Sequence, residues 1–386
     1  MKILHIITGL ETGGAEMMLL KLCKQLQAES QENSVISLSG LGPVGEKLEE
    51  AGVPVTALHM SRGGLPSPWK ALELARRIRR ERADVIQCWM YHANFLGGIA
   101  AKLANRRPVV WNIRATHLRA SHNKRSTLLI NSLSAKLASH LVEHIICCSE
   151  ASLAAHVQTG YPRRLMSVIP NGFELEKFRR IPEARQQLRQ DWGIPEDAFV
   201  VGNVGRFDPV KDHATFFRSA RKLLETQPNA WFILAGDHVD LANPEIASLT
   251  GELAERTRLL GKRSDMAELY SAMDALLLCS KSESFPNVLG EAMSCETPCV
   301  STEVGDAKYI LGQTGAVCPV GDSEAIAKAL VNICQLSKDE RSLTGRLARA
   351  RVSELFDIAK VANSYSTLYE KLDHRKPMGH KPSGLP

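Results

Sequence analysis

KILHIITGLETGGAEMMLLKLCKQL, from Lys2 to Leu26, is the stretch from which the fold is read. Ile3–Ile7 is a short apolar run rich in β-branched residues, the pattern of a strand buried on both faces. A glycine-rich turn follows, and from about Ala15 to Leu26 the sequence reads as a helix. The same unit then recurs. Val35–Ser39, Val53–Ala57, Val85–Cys88, Val109–Ile113, Ile145–Ser149 and Ser167–Ile169 read as further strands, with helical stretches in most of the gaps. Ala71, Leu74, Ala75 and Ile78 recur at i, i+3, i+4 and i+7, which is one face of a helix. Strands alternating with helices of this length predict βαβ units and a mainly parallel sheet.

After the turn signal Pro170-Asn171-Gly172 the pattern restarts. Phe199–Val204, Trp231–Ala235, Arg258–Leu260, Ala275–Cys279, Cys299–Thr302 and Val317–Cys318 form a second series. The expected organisation is an α/β chain of two domains, 1–175 and 176–358, then a helix over 359–373. The Gly- and Pro-rich tail over 374–386 reads as disordered. In open parallel sheets, ligands bind outside the carboxyl ends of the strands, so functional residues are expected just after strands.

The chain has 386 residues, 44% of them hydrophobic and 23% charged, which is globular composition. It contains no run of about 18 apolar residues, so no spanning helix is expected. The N-terminus reads as a first strand rather than a signal peptide. The net charge of +6 is unevenly spread. Residues 1–180 carry 24 Lys and Arg against 14 Asp and Glu, whereas the remainder carries 24 against 28. A basic N-terminal half suits an anionic partner, such as a phospholipid surface or a phosphorylated substrate. No nucleic-acid-binding module is present. None of the nine cysteines forms a CxxC pair, so zinc spacing is absent. Cys147, Cys148, Cys279 and Cys299 lie in apolar runs and read as buried thiols of a reducing compartment.

Three motifs follow strands. TGLETGGAE, Thr8–Glu16, sets Gly13 and Gly14 before a helix, where backbone and helix N-terminus can meet an anion. It is not the GxGxxG of dinucleotide binding, and no P-loop occurs. GRFDPVKDH, Gly205–His213, places Arg206 and Lys211 in one loop, where a planar fork and a point charge can clamp a diphosphate. Asp212 is a candidate cap for the next helix. CSKSESFPNVLGEAM, Cys279–Met293, places Glu283 in a loop, Pro286 in the first turn of a helix, and Glu291 on that helix. A carboxylate has two acceptor oxygens and can receive both hydroxyls of a vicinal diol, so one glutamate can hold a ribose and the other a sugar. By spacing alone the pair also fits the acid and base of a hydrolase. No two Asp residues are separated by a single residue, so a metal-bridged diphosphate is not expected, and neither is any other cofactor.

In order and spacing, GGAE at Gly13–Glu16, Arg206 with Lys211, and Glu283 with Glu291 resemble the group 1 (family 4) retaining glycosyltransferases. LGKRSDMAELY, Leu260–Tyr270, and PCVSTEVGDA, Pro298–Ala307, are similar as well. The resemblance covers roughly residues 1–370 and implies a GT-B fold: two Rossmann-like domains, with the nucleotide sugar on the C-terminal one and the acceptor on the N-terminal one. It implies that Arg206 and Lys211 hold the diphosphate, Glu291 the ribose and Glu283 the sugar hydroxyls. The backbone of Phe285, Pro286, Asn287 and Val288 would line the sugar–phosphate region, with Gly14 facing the phosphate and Arg263 in the base-binding loop. It also implies that the final helix crosses back to the first domain. Many members carry a His after the strand matching Val109–Ile113; here Arg114 stands there and His117 follows three residues later. Arg114, expected at the diphosphate or an anionic acceptor, and His117 are candidates for the reaction centre, and His92 for the acceptor side.

The expected activity is transfer of a sugar from a UDP- or GDP-linked donor to an acceptor, in the setting of lipid-linked bacterial polysaccharide. The expected location is cytoplasmic, peripheral to the membrane. Basic residues Lys70, Arg76, Arg77, Arg79, Arg80 and Arg82, and Arg119, Lys124 and Arg125 before a stripe of Ile130, Leu133, Leu137 and Leu141, suit an anionic leaflet. A nucleotide-sugar epimerase and a catalytically silent sugar-nucleotide-binding protein are the alternatives.

Overall fold

The computed structural model describes residues 1–60, 68–106, 108–116 and 125–373. His117, Arg119, Lys124 and the tail over 374–386 lie outside the described residues. The chain divides into two compact units, one made of Met1–Gly172 with the chain from Ile358 onward, the other of Phe173–Asp357. The divisions fall earlier than the breaks expected after 175 and 358. Phe173 bridges to Asp357 and donates its N–H to the Phe356 carbonyl at 2.8 Å, so both belong to the second unit.

The first unit runs β1 (Lys2–Ile7), α1 (Gly14–Ala28), β2 (Glu32–Ser37), α2 (Gly42–Glu50), β3 (Val55–Ala57), α3 (Pro68–Glu81) and β4 (Val85–Trp89). It continues with α4 (Tyr91–Leu103), β5 (Val109–Ile113), α5 (Arg125–Leu141), β6 (His144–Cys147), α6 (Glu150–Gln158) and β7 (Met166–Val168). Its seven strands lie in the order β3-β2-β1-β4-β5-β6-β7, every neighbouring pair parallel. Successive side chains of β1 alternate faces. Leu4 and Ile6 join α3, α4 and α5 in one core, while Ile3 and Ile7 join α1 and α2 in another. β3 begins two residues later than the apolar run Val53–Ala57, because Pro54 has no N–H to give a ladder. The helical stripe Ala71, Leu74, Ala75 and Ile78 is buried. The second stripe is only partly core: Ile130 and Leu141 are buried, but Leu137 is 39% exposed.

The second unit runs α7 (Pro182–Asp191), β8 (Phe199–Val204), α8 (His213–Thr226), β9 (Ala230–Ala235), α9 (Pro244–Thr250), β10 (Thr257–Leu259), α10 (Met266–Ser271) and β11 (Ala275–Leu278). It ends with α11 (Asn287–Ser294), β12 (Cys299–Thr302), α12 (Ala307–Leu311), β13 (Gly315–Cys318), α13 (Ser323–Gln335) and α14 (Lys338–Leu355). Its six parallel strands lie in the order β10-β9-β8-β11-β12-β13. Phe199, Phe216, Phe217, Phe232 and Leu277 centre its core.

The last helix, α15 (Ile358–Leu372), returns to the first unit. Val361, Ala362, Tyr365 and Tyr369 share the core of Ile3, Ile7 and α1. The buried phenol of Tyr369 donates to Gln87 Oε1 at 3.0 Å, and Gln31 Nε2 donates to Ser366 Oγ at 2.8 Å. All nine cysteines are free thiols, and all but Cys334 are buried. No helix among the described residues is long and apolar enough to cross a membrane.

Candidate functional site

Both sheets are doubly wound. Strand order reverses between β1 and β4 in the first unit and between β8 and β11 in the second. At such a reversal the following connections diverge to opposite faces and leave a crevice at the carboxyl ends. In the second unit that crevice is flanked by Gly205–Asp212 after β8 and Cys279–Pro286 after β11, the two loops that carry Arg206, Lys211 and Glu283.

These loops are built tightly. The β8 loop turns against Gly236, at the end of β9, where an added Cβ would run into the Gly205 carbonyl. Gly305, at φ +49°, lies against the carbonyls of Glu283 and Ser284, so a left-handed residue without a side chain is needed there. Asp212 caps α8 from a left-handed conformation, φ 51°, its carboxylate accepting from the Thr215 hydroxyl at 2.7 Å and N–H at 3.3 Å. Lys281 N–H donates to the Val210 carbonyl at 2.7 Å, which joins the two loops by backbone.

The side chains join them as well. Lys211 Nζ lies 2.6 Å from Glu283 Oε1, and Ser280 Oγ donates to the same oxygen at 2.7 Å. Arg206, two-thirds exposed, holds Asp208 Oδ2 through Nε and Nη2 at 3.1 Å each. Burial alone would raise the Asp208 carboxyl; the Val210 N–H and the Arg206 guanidinium outweigh it and hold the group below the usual range. His213, at the start of α8, is buried against the Phe207 ring at 5.3 Å. Burial and then the Lys211 charge push its imidazole down to about 4, so it is neutral.

Each cation expected as half of a clamp therefore has a carboxylate partner of its own. The sequence reading missed Asp208 and Ser280 as partners, although both lie inside the quoted motifs. Pro286, expected in the first turn, stands instead at the N-cap of α11, with φ −70° and ψ 98° and no side-chain cap. Asn287 and Val288 open the helix. Phe285 is buried against Phe173 and Phe356, with ring centroids at 6.3 and 5.5 Å, which pins the loop from beneath. Glu291 lies one turn into α11, where the buried Tyr270 hydroxyl donates to its Oε2 at 2.9 Å. Burial first, and then the Glu291 charge, raise this phenol well above its ordinary value, so it remains a donor. Arg263 pairs with Asp265, Nε to Oδ1 at 2.8 Å, and lies over the Trp192 ring at 6.0 Å. Tyr270, Trp192 and Asp265 carry no signal in the sequence that assigns them to these partners.

In the first unit the β1 loop ends at Gly13, in extended conformation, and Gly14 opens α1. A Cβ on Gly13 would meet the Glu16 carboxylate, which folds back over the helix start. Burial raises this carboxyl above its ordinary value. His92 is the second residue of α4, half-buried at the carboxyl end of β4. Arg114 follows β5, and its guanidinium has partners within the first unit. Nη1 donates to Asn171 Oδ1, Nη2 donates to the Tyr365 hydroxyl at 2.6 Å, and the plane lies 4.9 Å from the Trp89 ring. Trp89 Nε1 donates to His5 Nδ1 at 3.2 Å, so the His5 proton sits on Nε2, which donates to Asn33 Oδ1 at 3.2 Å. Burial lowers His5 to about 4, consistent with this neutral tautomer. Among the described residues no group of three His, Cys, Asp or Glu is placed to hold a metal ion.

The family model described as "Glycosyl transferases group 1" matches residues 184–364, and that of "Glycosyltransferase Family 4" matches residues 12–177. N-acetyl-alpha-D-glucosaminyl L-malate synthase of Bacillus anthracis is 34% identical over 193 residues, 47% of this chain and 48% of that protein. The UDP-Gal:alpha-D-GlcNAc-diphosphoundecaprenol alpha-1,3-galactosyltransferase of Escherichia coli is 25% identical over 307 residues, 77% of this chain and 78% of that one. The crystal structure of Anabaena HepE in complex with UDP-glucose superposes with a TM-score of 0.81 at 26% identity, covering 96% of this chain and 100% of that one. Two doubly wound parallel sheets, matched in turn by two models of one family, make this chain a member of the group 1 glycosyltransferases of GT-B fold.

Proposed function

We propose that the chain transfers a sugar from a UDP-sugar to a lipid-linked glycan acceptor in surface polysaccharide assembly, with retention of anomeric configuration. The observation that carries this reading is the crevice between β8 and β11, where Lys211, Ser280 and Glu283 join two loops beside the start of α11. The complex of HepE with UDP-glucose supports the donor, and the diphosphoundecaprenol galactosyltransferase supports the acceptor.

In this reading the donor diphosphate lies against Arg206, Lys211 and the N-terminal end of α11, where cations and helix dipole favour negative charge. Lys211 then divides its donors between the phosphate and Glu283. Glu283, still held by Ser280, accepts from the sugar hydroxyls. Tyr270 fixes the orientation of Glu291, which receives the ribose diol. Arg263 over Trp192 marks the base end. The bond from the anomeric carbon to the β-phosphate oxygen breaks while the acceptor oxygen bonds to that carbon on the same face. The acceptor proton passes to the leaving phosphate oxygen. Fixed donors stabilise the charge that grows there, a role that elsewhere falls to a metal. Activity is accordingly expected to persist in excess EDTA.

The test incubates the protein with UDP-sugars and a polyprenyl-diphosphate-linked sugar. The expected result is UDP release only with acceptor, and a product of the donor's own anomeric configuration. Release without acceptor, a 2-epimer of the donor, an inverted product, or tighter binding of GDP than UDP would contradict the proposal.

A further inference from the structure

The turn from β4 into α4 is strained at one residue. Met90 has φ 70° and ψ 159°. That region is open to glycine, whereas a Cβ crowds the neighbouring backbone there. The other non-glycine residues at positive φ among the described ones lie between 48° and 62°, near the left-handed helical value. The conformation of Met90 is held from both sides. Its N–H donates to the Asn112 carbonyl at 3.0 Å, and its carbonyl accepts from the Asn94 N–H at 2.8 Å. The Asn94 side chain also bonds the Asn112 backbone, Nδ2 donating to the carbonyl at 3.2 Å and Oδ1 accepting from the N–H at 3.4 Å. Glycine would supply this turn without strain, so the turn itself does not call for methionine.

Packing does not call for it either. Trp89 and Tyr91 on either side are buried, Trp89 donating to His5 and Tyr91 to His156 Nε2 at 2.9 Å. Met90 between them stays half-buried and belongs to neither core of the first unit. The β1–β4 ladder ends at the pair Ile7 and Trp89, which leaves Thr8 and Met90 as the next residues on the two lips of the first crevice. Thr8 Oγ1 is buried with no hydrogen-bond partner among the described residues. A polarizable thioether on one lip and an unpartnered hydroxyl on the other match a pyranose, which offers a C–H face and hydroxyls around its rim.

We propose that Thr8 and Met90 form the subsite for the acceptor's terminal sugar, with Met90 against the C–H face of the ring and the Thr8 hydroxyl bonded to a sugar hydroxyl. The strained backbone then sets a side chain where a glycine turn would leave a gap. The inference deepens the transfer reading and takes the identity of the ligand from it. The polyprenyl chain is the other apolar part of such an acceptor, but it offers no group for Thr8.

The experiment titrates decyl-diphosphate-linked glucose, galactose and N-acetylglucosamine into the full chain by calorimetry, in the presence of UDP. The sugar that binds tightest is then used with each variant, on the decyl chain and on a polyprenyl chain. Met90→Ala and Met90→Gly are each expected to weaken its binding about tenfold. Thr8→Val is expected to weaken it severalfold. Met90→Leu, of similar volume, is expected to stay within about twofold of wild type. The factors are expected to be equal on the two chains, with UDP affinity constant throughout. Met90→Gly is expected to melt above Met90→Ala, because relief of strain outweighs the freedom that glycine gains in the unfolded chain. Unchanged acceptor affinity in Met90→Ala, a loss confined to the polyprenyl form, a parallel loss of UDP affinity, or equal melting of Met90→Gly and Met90→Ala would overturn the proposal. Wild type that binds none of the three sugars would overturn it together with the acceptor reading, whereas binding without turnover would overturn the transfer reading alone.

Discussion

The crevices of the two sheets share a topology and differ in how their polar groups are used. Around β1, β4 and β5 of the first unit, the buried Trp89 donates to His5, and Asn112 and Arg114 both donate to the Tyr365 hydroxyl of α15. Around β8 and β11 of the second, ion pairs lie part-exposed in loops: the Lys211 side chain is 23% exposed, Glu283 17% and Arg206 67%. The buried Tyr365 hydroxyl, which accepts from two residues at the end of β5, holds α15 to the sheet. A part-exposed ion pair can exchange partners with an arriving anion at little desolvation cost. The same scaffold thus holds a helix at one carboxyl end and, on the reading proposed above, the donor ligand at the other.

The largest expected effect is at Lys211. Lys211→Ala removes a charge-assisted contact worth about 1.5–3 kcal/mol. Affinity for UDP is expected to fall by roughly ten- to a hundredfold, measured by calorimetry, with the thermal transition nearly unchanged. Unchanged affinity would place the crevice's role elsewhere.

In the first unit the expectation reverses. Tyr365→Phe removes the acceptor of Arg114 Nη2 and Asn112 Nδ2, at 2.6 and 2.9 Å, and leaves buried donors unpaired. Stability is expected to fall by about 1–3 kcal/mol in denaturant titration while UDP affinity stays constant. A stability-neutral variant with weakened UDP binding would erase the contrast between the two ends.

The expected effect of pH falls on both units. His5 and His213 have folded values lowered from 6.5 to about 4, each chiefly by burial. Above pH 6.5 both are neutral folded and unfolded, and their contribution is complete. As pH falls from 6.5 towards 4 the unfolded chain takes up protons that the native state refuses, so stability declines. The slope contributed is about 1.4 kcal/mol per pH unit for each histidine. His5→Gln and His213→Gln are each expected to flatten the pH profile of stability. A profile unchanged by either variant would contradict the neutral buried state.

Much of this was legible in the residues. Periodicity places Phe199–Val204 as a strand, and β8 spans those residues. Strand ends were less legible where a backbone group decides them, as Pro54 does for β3. Within the site, the positions of Arg206, Lys211, Glu283 and Glu291 after strands or on the next helix follow from chain order. Their partners do not. Lys211 and Glu283 are 72 residues apart in sequence, and Tyr270 and Glu291 are 21 apart. Only the lateral order of strands brings such pairs together. Arg114 shows the same gap: its place after a strand follows from chain order, whereas its partner Tyr365 comes from α15, far along the chain.

The central claim is that the β8–β11 crevice holds a nucleotide sugar with its two glutamates in separate roles. Calorimetry of Glu283→Gln and Glu291→Gln, each with UDP and with UDP-glucose, tests it most directly. Glu291→Gln is expected to weaken both ligands alike, because an amide offers one acceptor oxygen where the ribose diol needs two. Glu283→Gln is expected to leave UDP affinity nearly intact and to lose affinity for the nucleotide sugar, turnover, or both. Equal weakening of free UDP by the two substitutions, or no weakening by either, would contradict the account.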